Sequence, residues 1–108
     1  MAKKRPERAR TARRAQARQL EKIATQRERL FSLEPGGTPE RPIEVSSASL
    51  VEPRAAALHC PRCDEPLRVE AHNAPSSEGM RLREAVVRCA RCGQSRSVWF
   101  RLTGPALN

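Results

Sequence analysis

Four cysteines stand in two pairs, Cys60-Pro61-Arg62-Cys63 and Cys89-Ala90-Arg91-Cys92, with 25 residues between them. A C-x-x-C turn aims two sulfurs at one point, and two such turns joined by a hairpin's length of chain converge on a single tetrahedral metal site. The expected ligand is one structural zinc ion held by Cys60, Cys63, Cys89 and Cys92. The competing reading, four reduced thiols or two disulfides, needs in its oxidised form a secreted context. The first thirty residues show no hydrophobic stretch ahead of a small-residue cleavage site. The longest uninterrupted apolar run, Ala55-Ala56-Ala57-Leu58, is far short of a membrane span. A soluble, cytoplasmic protein with no membrane partner is expected.

Four thiolates close the zinc coordination sphere and leave no position for water or substrate. No Ser/His/Asp, Cys/His or paired-carboxylate arrangement stands out, and there is no Gly-rich phosphate loop. The expectation is therefore a protein that is not an enzyme and takes no small-molecule substrate. His59, just before the first cysteine, has a bland role as an exposed side chain and a sharper one as a donor to a thiolate. With four thiolates available the bland role is preferred. His72 is expected on the polar side of its strand, as a surface residue without a partner.

The second chemical feature is charge. The formal net charge is +9, and it is uneven: residues 1–34 hold 11 Lys and Arg against 4 Glu, residues 35–59 hold 2 against 3, and residues 60–108 hold 8 against 5. A divalent ion on four thiolates adds two negative charges, so the metal module is nearly neutral and the positive field belongs to the N-terminal segment. Arg10, Arg13, Arg14 and Arg18 are the candidate phosphate contacts. Guanidinium groups suit that role because they bind phosphate oxygens in pairs. The 18 Arg against 3 Lys also fit codon bias in a G+C-rich genome, which explains the ratio better than it explains the clustering.

These residues need elements to hold them. Residues 1–34, opening with Lys3-Lys4-Arg5, are rich in Arg, Ala, Gln and Glu and predict a helix. Pro6 suits its first turn, Glu7 suits the positive end of its dipole, and Pro35-Gly36-Gly37 stops it. Leu20, Ile23, Leu30 and Phe31 form a short apolar stripe with three readings: docking on the metal module, pairing with a second copy, or contact with another protein. Barely two heptads without a sustained a/d pattern make pairing the weakest, and docking on the chain's own domain is the ordinary expectation. Residues 35–57, with four prolines, three serines and the Gly36-Gly37 pair, read as a linker in which Ile43-Glu44-Val45 and Leu50-Val51 form brief extended pieces at a sheet edge.

From Leu58 onward the pattern is strand-like. Leu67, Val69 and Ala71 alternate with Arg68, Glu70 and His72. Pro75-Ser76-Ser77-Glu78-Gly79 is a loop, and a second strand runs from Met80 to Arg88 with a bulge or twist near Glu84-Ala85, where its alternation slips. A third strand follows the second cysteine pair, with Val98, Phe100 and Leu102 on the core face and Trp99 on the other. Trp99, with Arg96 and Arg101 nearby, is either a stacking patch or is covered by residues 43–58 or the N-terminal helix, and cover is preferred.

The order knuckle, strand, loop, strand, knuckle, strand resembles the zinc ribbon family, in which two C-x-x-C knuckles clamp one zinc at the end of a three-stranded antiparallel sheet. The resemblance spans residues 58–103. Cys92-Gly93 matches the usual knuckle glycine, while Asp64 takes that place in the first knuckle and tolerates the same left-handed backbone. The resemblance implies a small metal-stabilised fold: a basic helical segment at 1–34, a linker at 35–57, a three-stranded ribbon at 58–104 and a tail at 105–108. It implies no single activity. The layout is also similar to that of small bacterial proteins with a basic N-terminal helix. Rubredoxin, an iron carrier, uses similar knuckles around an aromatic-rich core, whereas this chain has no Tyr, one Trp and two Phe. Ribbons that promote transcript cleavage carry an acidic pair at the hairpin tip, where this chain has only Glu78. The expected function is nucleic-acid binding, to DNA or structured RNA, through the arginine-rich helix. The alternative is a protein-interaction module docking on a larger transcription or ribonucleoprotein assembly, and a third reading, a redox or zinc-responsive switch, requires labile cysteines.

Overall fold

The computed structural model describes residues 6–75 and 81–105, so Lys3, Lys4, Arg5, Glu78, Met80 and residues 106–108 lie outside the described residues. Helix α1 runs over Pro6–Leu33. Its end is set by the turn that follows. Gly36 adopts φ +95°, a left-handed conformation that costs glycine nothing. A β-carbon there would also lie 2.8 Å from Cδ1 of Ile43. The Arg41 guanidinium donates to the Leu33 carbonyl at 2.7 Å, satisfying one orphan acceptor of the last turn.

The sheet is mixed and four-stranded, in the order β1-β4-β3-β2, with β1 at Ile43–Val45, β2 at Leu67–Asn73, β3 at Leu82–Cys89 and β4 at Ser95–Leu102. Strands β2, β3 and β4 pair antiparallel in the expected order. The correction is the fourth strand: β1 lies parallel to β4, with Ile43 opposite Phe100 and Val45 opposite Leu102. The parallel pairing follows from the 36–42 turn, which is tied to the sheet when the Trp99 amide donates to the Gly36 carbonyl at 2.8 Å. Leu50-Val51, expected as an extended piece, instead enters helix α2 (Val51–Ala56), whose Val51 and Ala55 are buried one turn apart. Pro53 is no obstacle there, because it falls in the first turn, where no amide is needed.

One face of the sheet carries the core. Phe100, Val87 and Val98 are its largest fully buried sheet side chains, joined by Leu67, Ala85 and Leu102, with Val51 and Ala55 of α2 closing over them. Phe100, Val98 and Leu102 thus occupy the expected face. The irregularity expected near Glu84 lies elsewhere. Strand β3 pairs with β4 in unbroken register, and the bulge is in β2, where Val69 pairs with Val87 and Ala71 with Val86, leaving Glu70 unpaired. The extra residue turns His72 onto the core face opposite Ala85. His72 is therefore not a partnerless surface residue. Its Nδ1 lies 3.0 Å from the Glu52 carboxylate of α2 and its Nε2 3.3 Å from Arg83.

Candidate metal centre and basic helix

The two knuckles are built on the same hydrogen-bond scheme. The Cys60 amide donates to Glu65 at 2.8 Å and the Asp64 amide to Cys60 at 2.7 Å; correspondingly, Cys89 donates to Gln94 at 3.1 Å and Gly93 to Cys89 at 2.9 Å. The equivalence extends to the backbone, since Asp64 and Gly93 both hold left-handed φ values, 60° and 75°. The first knuckle leads into β2 and the second is the β3–β4 turn, so the sheet brings them to one end.

There the sulfurs of Cys60, Cys63, Cys89 and Cys92 lie within 4.8 Å of one another. A tetrahedral ion with metal–sulfur bonds of about 2.3 Å would hold its sulfurs about 3.8 Å apart. The Cys60 and Cys92 sulfurs are 3.8 Å apart. The four residues are thus positioned to coordinate one metal ion.

Electrostatics divide the four thiols. The amides of Cys92 and Arg91 point at the Cys89 sulfur, at 3.4 and 3.3 Å, and they favour the thiolate enough to lower Cys89 to about 7. Burial dominates at Cys63, pushing it up to about 12, and also raises Cys60 against the opposing pull of two backbone amides. His59 stands outside this cluster, with Nδ1 3.0 Å from the Asp64 carbonyl, and is an exposed side chain rather than a ligand.

Arg96, which the sequence placed only beside Trp99, and three residues given no role there, Glu21, Glu28 and Arg62, tie α1 to this centre. The Arg96 guanidinium, on the core face of β4, pairs with Glu28, lies 5.5 Å from the Phe31 ring centre and reaches the Cys60 sulfur at 3.8 Å. One turn of knuckle away, Arg62 donates to both carboxylate oxygens of Glu21 at 2.9 Å. The signal available in the sequence was the seven-residue spacing of Glu21 and Glu28, which places both on one helix face.

The apolar stripe divides accordingly. Helix α1 does dock on its own domain, but only Phe31 of the four expected residues packs against the core. Leu20, Ile23 and Leu30 are exposed, Leu20 by 64% and Leu30 by 61%, and Leu33 joins them. The docked face is the one carrying Glu21, Glu28 and Phe31.

Toward its N-terminus α1 runs past the first knuckle and leaves the domain, in keeping with overall extents of 79 × 22 × 18 Å. Arg10, Arg13, Arg14 and Arg18 are all exposed on this projecting arm. Arg18, Arg14 and Arg10 precede Glu21 by 3, 7 and 11 residues, spacings that keep them on the docked face, with Arg13 at its margin. From Arg8 to Leu20 there is no acidic residue. Trp99 is half-buried and lines a cleft together with Phe31, Ser32 and Gly37. Among the described residues no helix is long and apolar enough to cross a membrane. No protein-family model, curated protein or solved structure matches this chain.

Proposed function

We propose that this chain is a non-enzymatic zinc-ribbon protein that binds nucleic acid through the arginine arm of α1. The metal is zinc and its role structural. The four thiolates complete a tetrahedral sphere, so the ion staples the sheet end and leaves no position for chemistry. The observation that carries the nucleic-acid reading is the separation of charge along α1. The acid-free run from Arg8 to Leu20 projects from the domain, while Glu21 and Glu28 are neutralised where the helix docks. Phosphates are the partner that such a run of guanidinium groups matches.

The test is purification from the source without nuclease, followed by metal analysis and the ratio of absorbance at 260 and 280 nm. One zinc per chain with co-purifying nucleic acid is the expected result. Charge reversal at Arg10, Arg13, Arg14 and Arg18 should remove the nucleic acid and leave the zinc. Nucleic acid retained by that variant would overturn the assignment to the arm.

The exposed stripe supports a second reading, in which Leu20, Ile23 and Leu30 dock on a protein partner and the arm is a solvated face. Under that reading Leu20→Gln with Leu30→Gln abolishes co-purification of the partner, and the arginine changes matter less.

A further inference from the structure

We infer that the arginine face of α1 lies in the major groove of duplex DNA, an inference that rests on the nucleic-acid reading above and narrows it to one form. Three features select that form over a single strand or an RNA duplex.

The first is shape. Residues 8–20 form one uninterrupted helical arm, which at 1.5 Å per residue is about 20 Å long. An α-helix with its side chains is about 10–12 Å across and enters the roughly 12 Å major groove of B-form DNA. The major groove of A-form RNA is deep and too narrow for it. Ala17 sits in the middle of the arginine face, between Arg10, Arg13 and Arg14 on one side and Arg18 and Glu21 on the other, so nothing bulky holds the helix axis away.

The second is the absence of a stacking platform. Single strands are held by aromatic side chains on which bases stack. The arm has none: Phe31 packs at the docked end of α1, Trp99 is half-buried beside it, and Phe100 is fully buried.

The third is that the docking contacts clear the way for phosphate. The arginine face continues directly into Glu21 and Glu28, whose negative charges would repel a DNA backbone reaching the domain. Arg62 and Arg96 pair with those carboxylates. The same ion pairs therefore fix the direction in which the arm leaves the metal end and mask the only carboxylates on its face from Arg10 to Glu28.

The experiment is a fluorescence anisotropy titration of the full, zinc-loaded chain. Its probes are a duplex DNA of about 20 base pairs, the duplex RNA of the same sequence, and one DNA strand alone. Duplex DNA should bind at least about tenfold tighter than either of the others. The Arg10→Gln, Arg14→Gln, Arg18→Gln triple variant should weaken DNA binding by about 100-fold or more at low salt, and the corresponding triple Lys variant should keep most of it. Gln16→Ala with Gln19→Ala, on the opposite face, should change nothing. Zinc content and far-UV ellipticity, measured for each variant, show that the arm is still helical on a folded domain. RNA or the single strand binding as tightly as duplex DNA would overturn the inference while leaving nucleic-acid binding in place. Failure to bind any of the three would overturn both. Full affinity in the Gln variant would move the contact off this face.

Discussion

Asp64 and Gly93 occupy equivalent left-handed positions in the two knuckles, with φ values of 60° and 75°. Only glycine adopts that conformation without cost; another L-residue gives up about 1–2 kcal/mol, and Asp somewhat less. A β-carbon at residue 93 meets nothing nearer than the Arg88 guanidinium at 4.0 Å, so the backbone term acts alone there. Thermal denaturation of the metal-loaded protein should find Gly93→Ala destabilised by about 1–2 kcal/mol and Asp64→Gly equal to wild type or more stable by up to about 1 kcal/mol. A destabilised Asp64→Gly would show that the carboxylate, 3.4 Å from His59, matters more than the turn. The thiols make a second prediction. At neutral pH Cys89, near 7, is about half ionised, while Cys63, near 12, and the raised Cys60 keep their protons. Metal binding must expel those protons, so lowering the pH opposes it. Competition titration with a chelator should show apparent affinity rising more than about tenfold per unit between roughly pH 6 and 8, and a flat profile would contradict the ligand assignment. The cysteines and Asp64 were legible in the sequence because spacing and residue type alone define a knuckle. The partners of His72 were not, since an unseen bulge at Glu70 reverses its face.

Between elements, the contact of consequence is α1 against the metal end of the sheet. Arg96 is its centre: only 12% of its side chain is exposed, and it meets Glu28, Phe31 and Cys60 at once. Removing it leaves a partly buried carboxylate and a sulfur without their donor. Arg96→Ala should therefore cost about 1–3 kcal/mol and expose residues 20–33 to proteolysis before the sheet is cut. Unaltered stability and an unchanged cleavage order would mean that α1 is held some other way. Helix α1 and the three later strands could be read from composition and period because their signals run over many residues. Ile43-Glu44-Val45 was legible as a short extended piece at a sheet edge, though not its parallel pairing with β4. Helix α2 was not legible, because six residues are too short for a period and Pro53 and the serines that mark a helix entrance also mark a linker. The stripe misled for another reason. Leu20, Ile23 and Leu30 have the spacing of a docking face, yet the carboxylates of Glu21 and Glu28 decide which side of α1 meets the domain.

For the molecule as a whole, stability and binding are assigned to different halves. The core contains one fully buried aromatic, Phe100, set among valines, alanines and two of the proposed ligands, Cys60 and Cys89. So slight a core gains from a metal staple, which can contribute on the order of 10 kcal/mol to folding. The arm takes no part in that core and carries the exposed Arg10, Arg13, Arg14 and Arg18. An arm that neutralises phosphates must give binding a definite response to salt. If Arg10, Arg13, Arg14 and Arg18 each displace one counterion, the logarithm of the affinity for duplex DNA falls linearly with the logarithm of salt concentration, with a slope of about −3.6. That slope, measured for the zinc-loaded protein and again with all four arginines reversed, is the most direct test. A value near −3.6 that collapses toward zero in the variant is expected; a slope near zero in the wild type, or one the variant retains, would mean that the arm does not bind phosphate.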